Sequence, residues 1–415
     1  MIEIYNKKVK YLFDDIFKGI TIPYEDDETD FIVFGQRNNA KRGISFEDCK
    51  YTNEFIFSHR PEKEFLKYGD ILINGLGGGT CGRVGFYDIK SNIKVLTDGI
   101  PYILRNKKVN KYLYYALFCN QNQLEFLALG ATNQVSLKDF DLKNFNLSIV
   151  KDTREQKRIA DYLDVICLKV DKTINDLSEE IDIIKRYKKS LITEVITRGL
   201  HGEILKKTNY QYWPEIPVNW KLADIKYIFE IVKRIAGKEG YDILSVTQQG
   251  IKIKDISTNE GQIASNYSGY QLVYPTDYVM NHMDLLTGWV DCSQFEGVTS
   301  PDYRVFRLRN KSQNDLTYFK YVLQSCYFNR VFYSLGAGVS NLGRWRLQAE
   351  TFNNFLFPVP PYLEQIEISK YLDEKCKKIN TILASKEEQL ILLENYKKTL
   401  IYEYVIGKKE VPANE

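Results

Sequence analysis

The chain has 415 residues, 44% of them hydrophobic and 27% charged, with a net charge of +3. This composition is ordinary for a soluble globular protein, and the length allows about two to four domains. No run of about 18 apolar residues spans a membrane, and so small a positive excess does not by itself point to nucleic acid.

The opening, MIEIYNKKVKYLFDDIF, carries acids inside its apolar stretch, so no signal peptide is expected. Seven scattered cysteines without a C-x-x-C pair read as reduced thiols in a cytosol. Residues 1–150 are rich in Tyr, Phe, Val, Ile and Thr, with turns of Gly, Asn and Asp, which predicts short strands mixed with a few helices. Within them GQRNNAKRG, 35–43, is a polar and basic loop between strand-like runs. GGGTCG, 77–82, matches the G-x-G-x-x-G dinucleotide pattern after an apparent strand, DILIN. A dinucleotide loop must open a helix whose N-terminus holds the pyrophosphate. RVGFYDI follows instead, an alternating run that predicts a hairpin.

Residues 151–200 predict a first long helix. Apolar positions from Ile159 through Leu163, Ile166, Val170, Ile174, Leu177 and Ile181 to Leu191 and Val195 fall mostly three or four apart, the narrow stripe of a coiled coil. The four-four step at Val170 predicts a stutter or short break. Asp152 or Thr153 is placed to cap the helix and Gly199 to end it. No Pro or Gly interrupts it, and 40 helical residues reach roughly 60 Å.

Residues 201–357 form a second globular segment with another polar and basic loop, TQQGIKIK, at 247–254. Residues 358–410 predict a second long helix after the proline run PVPPY, with its stripe at Ile368, Leu372, Ile379, Leu383, Leu390, Leu393, Leu400 and Tyr404. Lys375, Lys386 and Lys397 interrupt that stripe.

The two helices are copies. EQKRIADYLDVIC at 155 returns as EQIEISKYLDEKC at 364, a shift of 209 residues, and without a gap 15 of the 40 positions from 155 to 194 are identical to their counterparts. The globular segments echo each other faintly: VKYLF at 9 with IKYIF at 225, GDILIN at 69 with TDYVMN at 276, YLYYAL at 112 with YFKYVL at 318, and LGA at 129 and 335. The chain is therefore a duplication of the α+β class. The expected architecture is two mixed domains and two long antiparallel helices, related by an internal pseudo-twofold. Two ordinary helices, each packed in its own domain, are the other arrangement.

Two unlike globular domains, each followed by a long helix opening E-Q-x-x-I-x-x-Y-L-D, resemble the specificity subunit of type I restriction-modification enzymes. The likeness covers nearly the whole chain, including FNNFLFPVPPYLEQIEISKYLD and the second-domain opening WPEIPVNWKLADI; the first copy lacks the prolines. The resemblance implies a non-enzymatic, cytoplasmic protein. Each domain would read one half of a split target in double-stranded DNA, and the helices would fix the gap between halves. They would also dock two modification subunits, which methylate adenine using S-adenosylmethionine, while restriction subunits bring ATP and Mg. On that basis Glu155, Gln156, Tyr162, Glu364, Gln365 and Tyr371, shared by the two copies, are expected at subunit interfaces.

The expected DNA contacts follow from chemistry. A shift of 210 pairs Gln134 with Arg344 and Ser136 with Arg346. Gln suits adenine and Arg suits guanine in the major groove, each in a bidentate fashion, so Gln134, Arg344 and Arg346 are expected at the reading faces. Arg37, Asn38, Lys41 and Arg42 in one polar loop, and Gln248, Gln249 and Lys252 in the other, are expected to meet bases or phosphates. The glycines at 77–82 would let the backbone approach a phosphate, with Thr80 and Arg83 as contacts. The acidic YEDDETD, 24–30, is expected to face away from DNA.

Nothing points to catalysis. VPPY, 359–362, has Val359 where an amino-methyltransferase needs an amide or acid. There is no P-loop, and His59, His201 and His282 form no metal-spaced cluster. Competing functions are a coiled-coil scaffold joining two protein-binding domains and, on the Gly-rich loop, a dinucleotide-dependent enzyme.

Overall fold

A computed structural model describes residues 2–41, 43–90, 93–128, 135–255, 264, 266–337 and 346–412. It divides into two units, residues 1–177 with 388–415, and residues 178–387. Arg42, Gln134 and Arg344 lie outside the described residues.

In unit 1 the first strand, β1 (Ile4–Lys8), is followed by β2 (Asp15–Lys18), β3 (Ile71–Asn74), β4 (Val84–Phe86) and β5 (Pro101–Arg105). Helices α1 (Lys111–Cys119) and α2 (Asp139–Asn144) come next, then β6 (Asn146–Val150) and the long helix α3 (Thr153–Arg198). Strands β2, β5, β3 and β4 form one antiparallel sheet in that order. β1 pairs with β6 immediately before α3. The hairpin expected at 77–82 is present: β3 and β4 pair antiparallel on either side of it, so this is not a dinucleotide loop.

Unit 2 repeats the plan. Its elements are β7 (Lys221–Asp224), β8 (Phe229–Val232), β9 (Leu244–Thr247), β10 (Gly250–Ile253), β11 (Tyr278–Met280), β12 (Val290–Cys292), β13 (Arg304–Leu308), α4 (Leu316–Phe328), α5 (Ala349–Asn353), β14 (Leu356–Val359) and the long helix α6 (Tyr362–Val405). The sheet order is β8-β13-β11-β12, again antiparallel, and β7 pairs with β14 ahead of α6. Thus β2, β5, β3 and β4 answer to β8, β13, β11 and β12.

The long helices begin and end as their caps dictate. The Asp152 side chain accepts from the Arg154 amide at 2.8 Å, satisfying one of the free donors of the first turn. At the other end Gly199, with φ of 77°, takes the left-handed turn and donates to Val195 O at 3.0 Å. The expected break at Val170 is absent, since α3 is one helix of 46 residues. With no Pro or Gly to force a break, a single four-four step only shifts the stripe sideways.

In unit 1 the N-terminal part of α3 lies antiparallel to the C-terminal part of α6. The Tyr404 hydroxyl meets that of Tyr162 at 3.2 Å, and Lys397 pairs with Asp171 at 2.6 Å. Ile159, Leu163, Cys167, Leu400, Ile401 and Tyr404 join the core of the unit. In unit 2 the remaining parts pair in the same sense, with Lys188 on Asn380 at 2.8 Å and Lys185 on Glu387 at 2.7 Å. Two of the three lysines that interrupt the second stripe are therefore answered across the contact: Lys397 by Asp171 and Lys386 by Glu180.

Each helix start is welded to its own unit by the same device. Gln156 is 5% exposed; its amide donates to Val150 O at 2.6 Å and accepts from Asn110 at 2.9 Å. Gln365, 0% exposed, donates to Pro360 O at 3.0 Å and accepts from the Asp315 amide at 2.8 Å. Further along, Tyr115 bonds Asp164 at 2.6 Å and Tyr321 bonds Asp373 at 2.7 Å. These residues are identical in the two copies because the same joints are made twice. Among the described residues no helix is long and apolar enough to cross a membrane.

Candidate nucleic-acid interface

In unit 1 three segments expected to contact DNA converge at one end of the sheet. The turn from β3 to β4 is tight: Gly82 N donates to Asn74 O at 2.8 Å and Arg83 N to Thr80 O at 3.1 Å. Gly82 has φ of 78°, and a Cβ there would come within 2.7 Å of the Glu125 amide, so only glycine fits. Loop 35–41 is fastened to this turn. The buried Asn39 donates to Asn74 Oδ1 and to Arg83 O, both at 3.0 Å, while Arg83 donates to Asn39 O at 3.2 Å. Asn74 in turn donates to Gln36 O at 3.1 Å.

The third segment is Val135–Leu137, directly after Gln134. Gly77 N donates to Val135 O and Leu137 N to Gly75 O, each at 3.0 Å. Tyr102 from β5 donates to Leu137 O at 2.9 Å.

Unit 2 makes the equivalent joints with different side chains. Leu347 N donates to His282 O at 3.0 Å, and Arg304 takes the place of Tyr102, donating to Leu347 O at 2.9 Å. The exposed Arg346 sits beside this joint, and the Ala337 amide donates to its carbonyl at 3.0 Å. The β9–β10 hairpin meets the loop after β11, where Gln248 donates to Thr287 O at 3.3 Å.

Burial, then the positive charges of Arg304 and Arg346, push the His282 imidazole down to about 4. It is neutral at pH 7, and protonating it sets a third cation against those two. The unfolded chain holds that proton near pH 6.5 whereas the folded one does not. Stability of unit 2 is therefore full above about pH 6.5 and falls as the pH drops toward 4. Melting temperatures measured across that window should fall for the native chain, and His282→Asn should flatten the slope.

Expected contacts divide by exposure. Arg37, Lys41, Gln248, Gln249, Lys252 and Arg346 are exposed, and Thr80 and Arg83 are half-buried. Lys41 is already paired with Glu394 of α6 at 2.8 Å. Asn38 is corrected: at 2% exposure it accepts from the Gly35 amide and donates to Ser45 O and Glu47 O, so it shapes the loop and does not face a ligand. Asn39, Asn74, Tyr102 and Arg304, which the sequence did not single out, hold the site together.

Gln156 and Gln365 are likewise corrected. Both are buried in their own units, so neither reaches a partner subunit. Glu364 is held by the Trp220 indole at 2.7 Å and by Asn219 at 3.0 Å, Glu155 by Arg158 at 3.2 Å, and Tyr162 by Tyr404. Tyr371 is half-buried beneath Lys375. Among the side chains that the long helices expose are large apolar ones, notably Ile183 and Tyr187 in unit 2 and Leu392 and Tyr396 in unit 1. The repeat shift relates the two pairs.

The chain is similar to known proteins along most of its length. Residues 14–182 match the type I restriction modification DNA specificity domain. A Methanocaldococcus jannaschii chain assigned as the specificity subunit of type I restriction enzyme MjaX is 22% identical, the match covering 98% of this chain and 93% of that one. The specificity subunit of type I restriction enzyme MjaVIII from the same organism is 23% identical, over 72% of this chain and 70% of its own. A solved chain from work on complex assembly and conformational transition of the type I R-M system superposes with a TM-score of 0.63 at 12% identity, covering 99% of this chain and all of that one.

Proposed function

We infer that this chain, which belongs to the specificity subunits of type I restriction-modification systems, reads a split DNA target with one half-site for each unit. The observation that carries the inference is the repetition of one sheet end in two chemistries. In both units a loop after the third sheet strand is tied to a leucine of a second loop, yet the side chains offered there differ: Thr80 and Arg83 in one, Gln248 and Arg346 in the other. A duplicated frame with unlike polar faces suits two half-sites of unlike sequence, because base edges are read by the donors and acceptors presented to them.

The subunit itself performs no catalysis. Two modification subunits bring S-adenosylmethionine to adenine, and restriction subunits bring ATP and Mg, all in the cytoplasm. The repeated exposed pairs Ile183/Tyr187 and Leu392/Tyr396 fit two copies of one partner, since exposed apolar groups kept at equivalent positions mark interaction surfaces. The long helices set the gap between half-sites.

Arg346→Ala, expressed with the partner methyltransferase, tests the reading role by sequencing of modified adenines. One position in one half-site should relax, at about 1–3 kcal/mol of discrimination, while the other half-site stays intact. Unchanged sites remove Arg346 from the reading face. Methylation without sequence preference by the native complex overturns the function.

A further inference from the structure

We propose that the cleft between the recognition segments and the helix pair of unit 2 is a clamp for DNA phosphates, and that the corresponding cleft of unit 1 is not. This rests on the DNA-reading function above and adds to it an asymmetry between the half-sites.

The unit 2 cleft encloses 580 Å³ and is lined by Lys185, Lys188, Lys189 and Arg330, with no acidic residue among its lining. The unit 1 cleft, 320 Å³, is lined by Lys41, Arg83, Lys397 and Lys398 together with Asp171 and Glu394. The repeat shift of 209 explains the difference. Lys188 and Lys189 correspond to Lys397 and Lys398, but Asn380 stands where the other copy has Asp171, and Lys185 where it has Glu394. Lys397 is thus neutralised by Asp171 at 2.6 Å and Lys41 by Glu394 at 2.8 Å. Lys188 instead meets the uncharged Asn380 at 2.8 Å. Lys185 is compensated by Glu387 at 2.7 Å, whereas the exposed Lys189 and Arg330 have no carboxylate partner among the described residues.

A cleft holding uncompensated cations suits a polyanion. Lys185 and Lys189 are four apart, about 5–6 Å on a helix face, the scale on which phosphates recur along a strand. Gln248 of the recognition hairpin lines the same cleft, so a strand whose bases meet that hairpin carries its backbone past these cations. An acidic face of a partner protein is the other polyanion of suitable charge, and the experiment separates them.

The double variant Lys189→Ala/Arg330→Ala is assembled with the methyltransferase partner, and its affinity for duplex DNA is measured across a salt series. Each lost phosphate contact lowers the slope of log K against log salt by about 0.9. The slope should therefore fall by about two, with both half-site sequences unaltered. Lys41→Ala/Lys398→Ala should lower it by at most about one, because Lys41 is already paired. Both variants alter exposed side chains, and unchanged melting confirms that they fold. A native slope in the unit 2 variant overturns the clamp while leaving sequence reading in place. Loss of methyltransferase subunits from the complex at a native slope overturns it in favour of a protein contact. Absence of sequence-dependent binding by the native complex removes the reading function as well.

Discussion

Gln365→Leu is expected to destabilise unit 2 by about 3 kcal/mol. The side chain is wholly buried and serves three backbone groups: it accepts from Asp315 N at 2.8 Å and donates to Pro360 O at 3.0 Å and Gln313 O at 3.3 Å. Leucine fills similar volume but leaves those groups unpaired, and each buried orphan costs about 1–3 kcal/mol. At about 2–4 °C per kcal/mol for a unit of this size, the melting temperature should drop by about 6–12 °C. Gln156→Leu should cost less, because one of its two partners is the Asn110 side chain, which can turn toward water. A shift under about 2 °C for Gln365→Leu would contradict the view that this glutamine joins helix to domain.

The same residue marks where sequence reasoning reached its limit. Identity between copies showed that Glu155, Gln156 and Tyr162 matter, but identity does not separate an inward joint from an outward surface. Only burial and partners do, and they assign both glutamines to the inside. The helices themselves were legible, because uninterrupted stripes of apolar residues at helical spacing need no long-range information. Lys386 and Lys397 looked like faults in the stripe until Glu180 and Asp171 were found opposite, an acid-base match set by a register that one helix alone does not reveal. The recognition faces were half legible. The polar stretches at 35–43 and 247–254 and the Gly-rich turn stand out by composition; residues 35–41 and that turn meet at the sheet end of unit 1, and the β9–β10 hairpin meets the loop after β11 in unit 2. The bonds that hold them there could not be read, because Asn39 to Asn74 spans 35 residues, and because Tyr102 and Arg304 do one job with unrelated side chains.

Lengthening both helices is expected to change the gap of the DNA target without changing the bases read. The chain passes from unit 1 to unit 2 only within α3 and returns only within α6, so residues added there act on spacing alone. Four residues inserted after Ile181, with four more after its repeat counterpart Leu390, add about 6 Å to each helix, close to two base pairs at about 3.4 Å each. Four residues also make about 1.1 turns, so the apolar stripe resumes on nearly the same face, and paired insertion keeps Lys397–Asp171 and Lys188–Asn380 in register while parting Lys386 from Glu180. Insertion into α3 alone should be far worse tolerated, since it slides Lys188–Asn380 out of register with Lys397–Asp171. Mapping of modified adenines should then return the original half-sites separated by one or two more base pairs. New half-sites at the old separation would mean that the helices shape the reading faces and do not measure the distance between them.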